Sequence, residues 1–162
     1  MVKEYTNLEK KLSFPVYLCE VDGWDELINF SAKTDNFVLL LLADFSRKTI
    51  EEIASVAKRL IDNGLKHICC WGPENTLGHM GFDLGNIEWE EENENSLHVT
   101  STCHDEPLAE AVWYCLYCAN PDDEYWTSCS KIIMNVNGRV SASELDRLLS
   151  NIDHLNSESG AT

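Results

Sequence analysis

The sequence predicts an α/β fold, a three-layer sandwich in which helices cover both faces of a mainly parallel sheet of about five strands. Three observations lead there. The run FVLLLLA at 37–43 is apolar at every position and is followed by Asp44, the pattern of a strand buried on both faces. Thr49 and Glu52 have capping-box spacing, and Ile50, Ile53, Ala54, Ala57, Leu60 and Ile61 recur at helical intervals up to Gly64. KHICCW at 66–71 returns to a strand and stops at Gly72-Pro73, so strand, helix and strand follow one another as a parallel crossover requires.

The remaining elements follow in chain order. Residues 1–13 are polar and are expected to form a flexible segment ahead of a single α/β domain over 14–153. PVYLCEV at 15–21 is the first strand, closed by Asp22-Gly23, and a short helix over 24–32 leads to the central strand. The stretch 74–95 reads as irregular surface, because Gly78, Gly81 and Gly85 interrupt it and EWEEENE follows. Those glycines have neither the spacing nor the Lys-Ser/Thr of a phosphate loop. SLHVTST at 96–102 is the fourth strand, with Asp105 placed to cap a helix that starts at Glu106-Pro107 and buries Leu108, Val112, Cys115, Leu116 and Ala119. SKIIMNV at 130–136 is the fifth, Asn137-Gly138 turns the chain, and 141–152 forms a last amphipathic helix. Residues 154–162 are expected to be a disordered tail. By analogy with flavodoxin-like and Rossmann-like folds the strand order is 2-1-3-4-5, an antiparallel edge strand being left open.

Composition limits the functional classes. At 162 residues the chain has the length of one domain, and roughly 70% of the unfolded surface can be buried at that size. Twenty-eight acidic against twelve basic side chains give a net charge of −16, which repels phosphate backbones and anionic membranes and favours basic partners. Neither nucleic-acid nor membrane binding is expected. No basic, apolar and small-residue leader pattern stands at the N-terminus, and seven cysteines form an odd, scattered set, so a cytoplasmic protein with reduced thiols is expected. The five glutamates Glu88, Glu90, Glu91, Glu92 and Glu94 read either as a contact for a basic partner or as a solvated loop.

Open parallel sheets place ligands beyond the carboxyl ends of their strands. That rule nominates Asp44, Trp71, Gly72, Thr102 and His104 as ligand-binding residues. Cys103 beside His104 is a candidate nucleophile, since an imidazolium and a helix N-terminus both favour a thiolate; neighbours on a strand, however, point to opposite faces. His104 with Asp44 or Glu106 is the competing acid–base pair, an acid holding the imidazole tautomer. Cys115 and Cys118 give C-x-x-C inside a helix, without the second pair of a zinc site or the exposed N-terminal position of a redox motif, so no metal and no cofactor are expected. Trp113, Tyr114, Tyr117, Tyr125 and Trp126 divide between core and a partner surface.

CWG after the third strand, together with TSTCHDEPLAEAVWYCLYCA, resembles a small uncharacterised bacterial α/β domain family with a Thr-x-x-His-acidic-Glu-Pro-Leu-x-Glu-x-x-Trp segment, over about residues 35–137. Cys103 stands here where an aromatic residue is expected. The resemblance implies a bacterial origin and supplies no activity. Two functions remain in competition: an acidic protein-interaction module, immunity-type or regulatory, for a basic target, and a small-molecule or nucleotide-like ligand sensor or enzyme using the strand-end crevice around His104.

Overall fold

The apolar run at 37–43 lies in the middle of a six-stranded sheet. The computed structural model describes residues 1–160. In chain order the elements are β1 (Val2–Glu4), α1 (Thr6–Leu12), β2 (Val16–Val21), α2 (Trp24–Ile28), β3 (Asn36–Leu42), α3 (Ile50–Asp62), β4 (Leu65–Trp71), α4 (Asn75–Asn93), β5 (Thr100–His104), α5 (Leu108–Tyr117), a 3-10 helix (Asp123–Ser128), β6 (Cys129–Val136), α6 (Ala142–Ser150) and α7 (Ile152–Glu158). The sheet order is β1-β2-β6-β3-β4-β5, with β1 antiparallel and the other pairs parallel.

Side-chain alternation divides the core into two layers. Phe37, Leu39 and Leu41 pack with α2, α3 and α4, while Val38, Leu40 and Leu42 pack with α1, α5, α6 and α7. This is the three-layer α/β architecture that the continuous apolar strand predicts. The predicted capping box is present, Thr49 Oγ1 accepting from Glu52 N–H and Glu52 Oε2 accepting from Thr49 N–H.

The strand order 2-1-3-4-5 is corrected. In the numbering of the five predicted strands the order is 1-5-2-3-4, because β6 inserts between β2 and β3. The edge-to-centre return is made by α5, which lies on the opposite face from α3 and α4. Residues 1–13, expected to be flexible, instead supply β1 and α1. Tyr5 and Leu8 are buried three positions apart, and Lys3 and Tyr5 both bond Asp146 of α6. The expected tail from 154 onward continues α7 to Glu158, held at its start by Asn151 Oδ1, which accepts from the Asp153 and His154 N–H groups; residues 161 and 162 of that tail lie outside the described residues.

The stretch 74–95 is helix rather than irregular surface. Its glycines weaken the local helical signal but let α4 lie directly on α3 and the loop before it: a Cβ on Gly85 would stand 2.5 Å from Ala57 Cβ, one on Gly81 would meet Ile53, and one on Gly78 would stand 2.6 Å from the Phe45 ring in that loop. Burial of Phe82 and Trp89 compensates for the poor propensity. Two further boundaries move. β5 starts at Thr100, so His104 belongs to the strand, and α5 begins after Pro107 with no side-chain cap, Asp105 being engaged elsewhere.

Candidate functional site

At the end of edge strand β5, Thr102 and His104 are two residues apart and project toward α5. The His104 ring packs on Tyr114, centroids 4.6 Å apart, and only 5% of the residue is exposed. His104 Nδ1 lies 2.5 Å from Glu106 Oε1, and Nε2 lies 2.8 Å from Thr102 Oγ1. Glu106 is fixed in turn: its carbonyl accepts from Trp71 Nε1–H at 2.9 Å. Asn75, at the first turn of α4, donates to the His104 carbonyl at 3.1 Å and to Asp105 Oδ1 at 2.7 Å. The structure thus brings together His104, Glu106, Thr102 and Trp71. With both ring nitrogens engaged and the ring buried, His104 clamps the starts of α4 and α5 to the sheet.

Cys103 projects to the opposite face and is exposed, facing the Cys70 position of β4 rather than the imidazole. Cys115 is buried in the core, and Cys118 lies past the last turn of α5. Asp44 does not join His104 either. It follows β3, two strands away from β5, roughly 10 Å at the usual strand spacing. There it lines a separate crevice of about 490 Å³ with Trp24, Arg47, Lys48 and Arg139. Bonds from the Ser46 hydroxyl and amide hold its carboxyl below the ordinary range, with Arg139 and Arg47 adding to the effect. Gly72 bonds through its carbonyl to Asn75.

The acidic run forms the last turns of α4, and its members have different tasks. Lys58 Nζ of α3 lies 3.1 Å from Glu88 Oε2 and 3.0 Å from Glu92 Oε1. Glu90 Oε1 accepts the N–H groups of Leu97 and His98, each at 3.0 Å, which lowers its pKa and ties the chain after α4 back to the helix. Between them Trp89 is buried and donates to Asp62 Oδ1 at 2.8 Å. Glu91 and Glu94 are exposed, and no hydrogen bond or ion pair engages their side chains among the described residues.

The chain matches the family model of a domain of unknown function, DUF7684, over residues 16–152. It belongs to the DUF7684 family. The matched span contains the strands and loops from β2 to β6, the His104 cluster, the Asp44 crevice and α4. No curated protein and no solved structure matches the chain.

The DUF7684 chain also holds groups that its sequence pattern does not announce. Lys131 is fully buried in β6, and its ammonium group donates to the carbonyls of Cys115 and Ala119 and to Asn120 Oδ1, satisfying the C-terminal end of α5. A lysine inside a fully buried central strand is the signal for such a cap. His67, buried nearby, has no partner for Nε2 among the described residues; burial first, then the neighbouring Lys131 and His104, push its pKa down to about 4. On the α4 side, Ser101 Oγ lies 2.5 Å from both His79 Nδ1 and Asp83 Oδ1. The single hydroxyl hydrogen goes to Asp83, so Nδ1 must donate to the serine. That arrangement leaves no imidazole lone pair facing Ser101 and makes the trio a brace between α4 and β5 instead of an activated nucleophile. The His79–Asp83 spacing of i, i+4 on a helix is its sequence signature.

No described helix is long and apolar enough to cross a membrane.

Proposed function

We propose that this DUF7684 chain is a non-enzymatic interaction module, immunity-type or regulatory, whose acidic α4 face docks a basic protein partner in the cytoplasm. The observation that carries the reading is the outward stripe of α4. Met80 and Ile87 are 49% and 54% exposed, and on the helical repeat they share one face with Asp83, Glu91 and Glu94. Exposed apolar anchors flanked by the unpaired Glu91 and Glu94, with Asp83 held by Ser101 on the same face, suit a partner with a basic, partly apolar surface. The net charge of −16 steers such a partner toward the chain. Close packing of α4 on α3 gives the face a rigid support. The engagement of both His104 ring nitrogens supports binding over catalysis, and the seven free cysteines fit a reducing compartment.

The test is binding of a labelled Lys/Leu amphipathic helical peptide followed by fluorescence anisotropy across a salt series. Glu91→Gln with Glu94→Gln, and separately Ile87→Ser, each weaken binding by about tenfold. Asp123→Asn with Glu124→Gln makes the same change in net charge on another exposed segment and leaves affinity unchanged. Equal losses from the two charge pairs would reduce the effect to unspecific attraction and defeat the proposal.

A further inference from the structure

Three adjacent parallel strands, β2, β6 and β3, end side by side, and the chain leaves them in different directions. From β2 and β3 it passes to α2 and α3 on one face of the sheet, and from β6 it passes to α6 on the other. Such a divergence opens a crevice at the strand ends, the place where open α/β sheets hold small ligands. Here it is the crevice of about 490 Å³ that contains Asp44.

Its charge runs against that of the chain. Arg47, Lys48 and Arg139 line it, three of only twelve basic side chains in a protein with net charge −16. Among the described residues none of the three has a carboxylate within 4.0 Å. Of the other nine basic side chains, Lys3, Lys11, Lys58 and Arg147 are paired, Lys131 is buried on carbonyls, and Lys10, Lys33, Arg59 and Lys66 have no carboxylate within 4.0 Å among the described residues but do not gather at one cavity. Lys48 also lies over the Trp24 ring, 5.6 Å from its centroid. An acidic chain repels anions at long range, so three cations without a carboxylate within ion-pair distance converging on one cavity form a local exception with a chemical direction.

The walls are held in place. Buried Asn135 accepts from the Val140 N–H at 3.0 Å and donates to the Val140 carbonyl at 2.7 Å. The turn it closes passes through Asn137 and Gly138, both with positive φ, and carries Arg139. On the other side Ala43 N–H donates to the Trp71 carbonyl and Phe45 N–H to that of Pro73, which fixes the loop bearing Asp44 and Arg47. Asp44 Oδ1 accepts from the Ser46 amide and hydroxyl, and its second oxygen makes no bond among the described residues. The crevice therefore offers anion-binding guanidinium groups and one acceptor for a hydroxyl, on anchored backbone.

We propose that this crevice binds a small phosphorylated molecule that also carries hydroxyl groups, the chemistry shared by sugar phosphates and nucleotides. Arg47 and Arg139 take the phosphate, Lys48 adds charge, and Asp44 accepts a hydroxyl hydrogen. The site is separate from the α4 face, and neither proposal depends on the other.

Calorimetric titration with ribose 5-phosphate, adenosine 5′-phosphate and inorganic phosphate tests it. Both organic phosphates bind saturably, and each of Arg47→Gln and Arg139→Gln weakens them by about tenfold. Asp44→Asn weakens both organic ligands relative to inorganic phosphate, whose own affinity does not fall because a neighbouring negative charge is removed. Tighter binding of the adenosine compound identifies a nucleotide site, and equal affinities identify a sugar-phosphate site. Both arginines are exposed, so the variants retain the wild-type unfolding midpoint, and Arg147→Gln serves as the distant control with unaltered affinity. Absence of saturable binding by all three compounds, or binding indifferent to both crevice arginines, overturns the proposal.

Discussion

Lys131 of the central strand β6 donates to the carbonyl oxygen of Cys115 at 3.0 Å and so fastens the end of α5 to the middle of the sheet. The lysine is fully buried, and its carbonyl and amide-oxygen acceptors take the place of water. Lys131→Met keeps the volume of the stem but leaves those oxygens without a donor. The expected cost is about 1–3 kcal/mol in urea unfolding. A variant as stable as the parent would mean that desolvation of the ammonium group cancels what its bonds contribute.

His67 makes stability depend on pH. Its pKa falls from an ordinary 6.5 to about 4 in the folded chain. Between these values the unfolded chain takes up a proton that the folded chain refuses. The stabilisation is complete above the unfolded value and is lost as pH falls through the folded one, a change of about 3 kcal/mol. His67→Leu removes this term, so the stability of the parent relative to the variant rises by about that amount as the pH goes from acid to neutral. A pH-independent difference would contradict the assignment.

Gly85→Ala separates packing from propensity. Alanine favours an isolated helix by about 1 kcal/mol. Here the added methyl would lie 2.5 Å from Ala57 Cβ and 2.7 Å from the Ala54 carbonyl oxygen, which is backbone and cannot rotate away. The variant is therefore expected to lose about 1–3 kcal/mol in chemical denaturation. A gain in stability would refute the close approach of α4 to α3.

His104→Ala removes the ring that joins Thr102, Glu106 and Tyr114. Its expected cost is about 2–4 kcal/mol in unfolding free energy. At temperatures where the variant remains folded, its affinity for the basic peptide is unchanged. Lost affinity in a folded variant would move the partner surface from α4 to the end of β5.

The sequence made five of the six strands and α3 legible because their signals are local: an unbroken apolar run, a capping box, a helical stripe ending at Gly64. What it hid depends on distant partners. Nothing near Gly78, Gly81 and Gly85 shows that α3 lies against them, so a rigid helix reads as a loop. Tyr5, Leu8 and Leu12 carry the spacing of a docked helix, but the polar residues between them obscure it. At the site, His104 and Glu106 were readable as neighbours. The separation of Asp44 from them was not, because it follows from the insertion of β6 beside β3. The division of the acidic run into fold-holding Glu88, Glu90 and Glu92 and free Glu91 and Glu94 needed the position of Lys58 and the path of Leu97 and His98.

Hydrogen–deuterium exchange with and without the Lys/Leu peptide tests the interaction reading most directly, because it locates the contact without relying on any substitution. The account predicts slowed exchange confined to α4 and the segment after it, residues 76–98, with the crevice loops 43–48 and 137–140 unaffected. Protection spread evenly over the acidic surface, or centred away from α4, would contradict it.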